Sequence, residues 1–133
     1  MGSISTCFGG NIMNIKLRVV LMTDEGESFY GPGVQTLLIA IRDNGSVKEA
    51  CIAMNLSYSK GRRILKKAEA ALGYQLVKRQ QGGALGGSAM ITPQAELFIK
   101  RYENLTDSVN DYSKMRMNEL FPREGIVDDL TGE

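Results

Sequence analysis

The chain has 133 residues, of which 43% are apolar and 23% are charged, a balance typical of one folded domain with its own core. It contains no histidine and two distant cysteines, Cys7 and Cys51, which excludes a zinc site built from Cys and His and argues against a disulfide framework. The lack of histidine also excludes Ser-His and Cys-His nucleophile pairs, and no other group of residues indicates catalysis. We therefore expect a protein that is not an enzyme and that needs no metal or cofactor.

The net charge of +1 conceals an uneven distribution of charge along the chain. Seven basic residues and a single acidic one, Glu69, lie between Ser57 and Arg79, whereas eight acidic residues outnumber three basic ones from Glu103 to Glu133. A basic middle segment favours a polyanionic partner. The alternative is a solvated helix face with ordinary surface charge.

No stretch approaches 18 uncharged apolar residues, so no membrane span is expected. Residues 1–13 are rich in Gly and Ser, lack the pattern of a signal peptide and are predicted to be a disordered leader, which favours a cytoplasmic location. We expect the folded domain to cover residues 14–119 and a flexible acidic tail to cover residues 120–133.

Two strands and a helix are predicted first. Alternating apolar residues over 15–21, with Leu17 on the buried face, predict a strand, and residues 28–30 return as a second strand after a turn. The sequence Gly-Pro-Gly at 31–33 is expected to break regular structure. A helix over 34–43 then carries one apolar stripe and ends at Gly45. The stripe consists of Val34, Leu37, Leu38 and Ile41.

Two further helices follow. Ser46 and Glu49 form a capping box that begins a short helix, and Ser57 is the predicted cap of a helix that runs to about residue 72. The small residues Ala50 and Gly61 allow these two helices to approach closely. Two short helices joined by a tight turn are the helix-turn-helix pattern, with the basic residues facing away from the core. The inward positions of the third helix are Tyr58, Gly61, Leu65, Ala68 and Leu72, with Ile64 beside them.

A hairpin is predicted directly after the third helix, with strands over 75–79 and 88–91 around the segment QQGGALGG. This is the place of a wing, whose glycines permit close backbone approach to phosphate. The segment joins strand to strand and lacks the lysine of a nucleotide-binding loop, which argues against that reading. A hairpin tip without any contact is the other alternative.

The last helix is predicted to begin at Thr92 and Pro93. Its apolar residues are spaced 4, 3, 4 and 3, a heptad seam that favours pairing with a second copy of the chain. A homodimer would present two helices about 34 Å apart to a pseudo-palindromic site. Alternatively, the seam covers the core of its own domain. The predicted interface consists of Phe98, Tyr102, Leu105, Val109 and Tyr112.

These elements predict a mainly helical fold with small β elements: a winged helix-turn-helix with an N-terminal β-hairpin and a long C-terminal helix. Over residues 15–105 the chain resembles the DNA-binding domain of the molybdate-responsive (ModE-like) transcription regulators, which is related to the LysR-type winged helix. The matching motifs, in order, are GPG, GS, LSY, LGxxLVxR, GGxxGG and TP.

The resemblance implies DNA binding and dimerisation. Two details differ from the family pattern, since Arg62 stands where tryptophan is frequent and the wing reads QQGG instead of a more basic sequence. Full-length members also carry a C-terminal oxyanion-binding domain, for which this chain has no room. We therefore expect no molybdate site within it.

The function predicted from the sequence is that of a sequence-specific regulator of transcription that binds double-stranded DNA as a homodimer. A winged helix that binds proteins instead is the alternative. The N-terminal part of the second motif helix faces base edges in this class, which points to Ser57, Ser59, Lys60 and Arg63, whereas Arg62, Lys66 and Lys67 are expected to meet phosphates. The complete predicted DNA-binding set is Ser46, Ser57, Tyr58, Ser59, Lys60, Arg62, Arg63, Lys66, Lys67, Lys78, Arg79, Gly83, Gly86 and Ser88.

Overall fold

The computed structural model describes residues 13–80 and 88–122, and in these ranges it contains four α-helices and two antiparallel β-hairpins. The predicted leader up to residue 12, the segment 81–87 with Gly83 and Gly86, and the tail from residue 123 lie outside the described residues. The architecture is that of a winged helix-turn-helix, and the predicted fold class is confirmed. In chain order the elements are β1 (Leu21–Met22), β2 (Ser28–Tyr30), α1 (Pro32–Asn44), α2 (Val47–Ala53), α3 (Tyr58–Leu72), β3 (Val77–Gln80), β4 (Ser88–Ile91) and α4 (Pro93–Leu120).

The N-terminal hairpin is shorter than predicted. Leu21 pairs with Tyr30 and Met22 with Ser28, and the strand predicted over residues 15–21 is wrong because only its last residue pairs. Leu17, expected on a buried face, is 40% exposed. Alternation of apolar residues indicates a strand only where a partner of matching length exists, and β2 has just three residues.

Helix α1 begins at Pro32, two residues before the predicted start. Proline is tolerated in the first turn because that N–H would have no partner within the helix, so the expected break at Gly-Pro-Gly is wrong. The helix ends as predicted at Gly45, which has a φ of 72° and donates its N–H to the Ile41 carbonyl at 2.8 Å. The four residues of the predicted apolar stripe are buried.

The helix-turn-helix motif is formed by α2 and α3, and the predicted caps at Ser46 and Ser57 are confirmed. The hydroxyl oxygens of Ser46 and Ser57 each accept a backbone N–H from three residues further on, both at 3.1 Å. Between the helices, Asn55 adopts a φ of 60°, and the Leu56 N–H returns to the Cys51 carbonyl at 2.8 Å. This turn sets the direction of α3 relative to α2, and Asn55 adopts the left-handed conformation that a glycine often supplies.

The core has Tyr30 near its centre, 1% exposed. Its ring centroid lies 4.5 Å from that of Phe98 and 4.9 Å from that of Tyr102. The Tyr30 hydroxyl donates to the Gln35 side chain, whose amide donates to the Ile99 carbonyl at 3.1 Å. The Tyr102 hydroxyl donates to the Val19 carbonyl at 2.6 Å. The first part of the predicted α4 seam therefore packs within the core of its own domain.

The described chain divides into two compact units, one comprising Arg18–Asn104 and the other comprising residues 13–17 and 105–122. The core, the helix-turn-helix and the second hairpin belong to the first unit. In the second unit, Leu105 and Tyr112 of α4 are 41% and 61% exposed, and Val109 is half-buried. No helix in the described ranges combines the length and apolarity needed to cross a membrane.

Candidate nucleic-acid interface

Helix α3 has one buried and one basic face. Gly61, Leu65 and Ala68 recur at helical spacing and are buried. The five basic side chains of the helix are all exposed, which confirms that they face away from the core. They are Lys60, Arg62, Arg63, Lys66 and Lys67.

Among the described residues, no acidic side chain forms an ion pair with the cations of this face. In the described ranges, ion pairs involve Arg42 with Asp43 and Glu96, and Arg116 with Glu119, but no basic residue of α3 or β3. Lys78 and Arg79 of β3 are also exposed, so all seven cations of the basic segment are accessible. Such a surface attracts polyanions.

The single acidic residue of that segment has a structural role. Glu69 is half-buried, and its Oε2 accepts the N–H groups of Leu76 and Val77 at 2.7 and 3.2 Å. The carboxylate thereby fastens the start of β3 to α3. Its use as a backbone acceptor was not anticipated from the sequence, because the two N–H groups lie beyond the end of the helix.

Two further contacts hold the second hairpin, one at its base and one further along β4. The Thr92 hydroxyl donates to the Gln75 carbonyl at 2.9 Å while its oxygen accepts the Ala95 N–H at 3.1 Å, which also confirms Thr92 as the cap of α4. The Ala89 N–H donates to the Gly45 carbonyl at 2.9 Å, which joins β4 to the turn between α1 and α2. The strands pair from Val77 opposite Ile91 to Gln80 opposite Ser88. The hairpin is therefore held at its base by α3 and α4 and near the other end of β4 by the turn between α1 and α2.

A groove of about 440 Å³ lies between α3 and β3. Four cations and one carboxylate line it, together with apolar and amide side chains. Sequence reasoning did not identify this groove, or Gln75 within it, because its two walls are separate in the chain. The lining residues are Arg62, Leu65, Lys66, Glu69, Gln75, Val77, Lys78 and Arg79.

Tyr58 lies on the surface, and its predicted inward position is wrong. Its side chain is 41% exposed, and its hydroxyl accepts a hydrogen bond from Arg79 Nη1 at 2.7 Å. The guanidinium carbons of Arg62 and Arg79 each lie 5.9 Å from the centroid of the ring. At the first position of α3 a side chain leans back towards the helix N-terminus, and β3 passes close enough to meet it there.

The remaining predicted contacts are serines. Ser57 and Ser59 are exposed at the beginning of α3, and Ser46 is half-buried at the beginning of α2. Since Ser46 and Ser57 already accept backbone N–H groups, each has its hydroxyl hydrogen left to offer. Ser88 is exposed on β4 and donates to the Gln80 side chain at 3.4 Å.

Buried Cys51 lies beneath this surface, and burial raises the pKa of its thiol, an effect that the positive charge of Arg79 partly opposes. Among the described residues, no group of three or more His, Cys, Asp or Glu side chains is arranged to hold a metal ion.

No family model matches the chain, and no curated protein matches it. Among solved structures, the chain is similar to ArgP from Mycobacterium tuberculosis, with a TM-score of 0.46 and 20% sequence identity. The match covers 68% of this chain and 31% of that one, so it extends over about a third of the length of ArgP.

Proposed function

We propose that this protein is a regulator of transcription that binds double-stranded DNA sequence-specifically, with α3 as the recognition helix and the β3–β4 hairpin as the wing. The observation that carries the proposal is the exposure of all seven cations of the basic segment on α3 and β3, without an acidic partner among the described residues. The major groove of B-DNA is about 12 Å wide and admits one α-helix.

The division of roles follows from the position of each side chain. The side chains at the N-cap and in the first two turns of α3 would face base edges, where lysine and arginine favour guanine O6 and N7. They are Ser57, Ser59, Lys60 and Arg63. The cations of the groove and Lys67 would meet phosphates, which set affinity and register. The wing segment with Gly83, Gly86 and Ser88 would approach the backbone or the minor groove.

We further propose that the regulator acts as a homodimer of the ModE-like, LysR-related class and works in the cytoplasm. Exposed Leu105 and Tyr112 of α4 support the dimer, since they continue the heptad spacing beyond the residues used in the core. A second copy would cover this apolar stripe.

Electrophoretic mobility-shift titration on duplex fragments of the source genome, at two salt concentrations, tests the proposal. The affinity should fall steeply as salt rises, because each phosphate contact releases counterions. The variant Lys60→Ala/Arg63→Ala should lose both affinity and sequence preference. The control Lys100→Ala/Arg101→Ala removes the same charge from exposed positions of α4 and should bind almost as the wild type.

Equal effects of the two double substitutions would mean that net charge alone governs binding and would overturn the role of α3. Absence of salt-sensitive duplex binding by the wild type would reject the function as a whole. That result would favour the alternative, a winged helix that binds protein.

A further inference from the structure

Two cations from different elements converge on one aromatic side chain. Arg62 belongs to α3 and Arg79 to β3, yet both guanidinium carbons lie 5.9 Å from the ring centroid of Tyr58. Arg79 also donates to the hydroxyl of Tyr58 at 2.7 Å. Tyr58 is thus a bridge between the recognition helix and the wing.

This arrangement places two like charges around one ring and along one groove. Two guanidinium groups repel each other, and neither takes part in an ion pair with a described residue. The negative face of the ring and the lone pairs of the hydroxyl offset part of that repulsion without neutralising the charge. Glu69, in the same groove, is engaged by two backbone N–H groups and remains fixed. The result is a pair of cations that share one groove and have no ion-pair partner among the described residues.

We propose that Tyr58 is a positioning residue that holds Arg62 and Arg79 in place to bind one phosphodiester group of the DNA backbone. The inference rests on the proposed DNA-binding function and adds a site and a role to it. A guanidinium fork matches the geometry of phosphate oxygens and is suited to such a ligand. Tyr58 itself need not touch the DNA.

The expected gain in affinity comes from ordering the arginine side chains before DNA binds. An exposed arginine loses rotamer freedom when it binds, and this loss lowers affinity. The hydrogen bond to Tyr58 removes part of that freedom before DNA arrives. Ordering one such side chain in advance corresponds to a factor of about two to ten in affinity.

The test compares Tyr58→Phe, Tyr58→Leu and Arg79→Gln by fluorescence anisotropy on the bound duplex over a range of salt. Tyr58→Phe keeps the ring and loses the acceptor, and it should weaken binding about three-fold. Tyr58→Leu loses both and should weaken binding about ten-fold. Because Tyr58 is partly exposed, thermal melting should show that all three variants fold.

The salt dependence separates a positioning role from a lost contact. Arg79→Gln should lower the slope of log K against log salt by about one, whereas Tyr58→Phe should leave the slope unchanged, since both arginines remain. In the Arg79→Gln background, Tyr58→Phe should have almost no further effect. Arg101→Gln, an exposed cation outside the groove, is the charge control.

Wild-type affinity for Tyr58→Phe, or an equal loss with and without Arg79, would overturn the inference while leaving the DNA-binding function intact. Failure of the wild type to bind duplex DNA would instead reject the function on which it rests.

Discussion

Gly61 of α3 lies directly against the Sγ atom of Cys51 in α2, so close that a Cβ atom at Gly61 would overlap the sulfur. Cys51 is 1% exposed and sits on the backbone of a short, capped helix, so it has little room to retreat. The close packing of the two motif helices at this point therefore depends on a glycine inside a helix, where glycine is otherwise unfavourable.

Gly61→Ala should lower the free energy of unfolding by about 2 kcal/mol, although alanine is the better helix former by about 1 kcal/mol, because overpacking outweighs propensity. In a Cys51→Ala background the same substitution should become neutral or stabilising, since the sulfur is gone. Urea denaturation of the four proteins measures this coupling. Additive effects would contradict the contact.

Glu69→Ala should destabilise the protein by about 1 to 3 kcal/mol, because two partly buried N–H groups lose a charged acceptor. Hydrogen exchange should show faster opening at Leu76 and Val77 than in the wild type. Glu96→Ala, which removes a carboxylate from an exposed ion pair with Arg42, should cost at most about 1 kcal/mol. Equal losses would refute a special role of Glu69.

Tyr112→Glu should convert the proposed dimer into a monomer, because a charge would replace an aromatic ring in the apolar stripe of α4. Asn118→Glu adds the same charge to an exposed position of the same helix and should leave the dimer unaffected. Light scattering at micromolar concentration distinguishes the two masses. A monomeric wild type would contradict the dimer.

Stability should decline at alkaline pH. Burial raises the pKa of Tyr30, Tyr102 and Cys51, so the unfolded chain releases these protons at lower pH than the folded protein does. Above about pH 9 the folded state binds more protons than the unfolded state, and the free energy of unfolding falls as pH rises. Below the unfolded-state pKa values this contribution is fully present.

Urea midpoints measured from neutral to alkaline pH check this trend. Tyr30→Phe removes the group with the largest shift and should give a shallower decline, even if its stability at neutral pH is lower. An identical slope for the variant would show that Tyr30 does not contribute.

Local signals in the sequence were sufficient for four helix caps, although not for the start of α1 at Pro32. Gly45, Ser46, Ser57 and Thr92 cap as predicted because a cap involves atoms only three or four residues apart. The position of Tyr58 could not be predicted from local signals, because its partner Arg79 is 21 residues away and the contact depends on the packing of β3 against α3.

The same distinction separates the two hairpins. Of the alternating residues over 15–21, only Leu21 pairs with β2, so the alternation did not indicate a strand. In contrast, β3 and β4 have equal lengths and pair throughout. Basic residues on α3 could be assigned to an exposed face from periodicity alone. The groove they share with β3 depended on long-range contacts through Glu69 and Thr92.

Hydrogen bonds to Gly45, Glu69 and Thr92 fix the position of the second hairpin. The hydrogen bonds that tie its strands to the helices involve only described residues, from Gln75 at the base to Ala89 near the far end, so substitutions in the seven residues between Gln80 and Ser88 remove none of these bonds. Under the proposed DNA-binding function, that short stretch is therefore the place to change target preference without removing a bond that holds the strands.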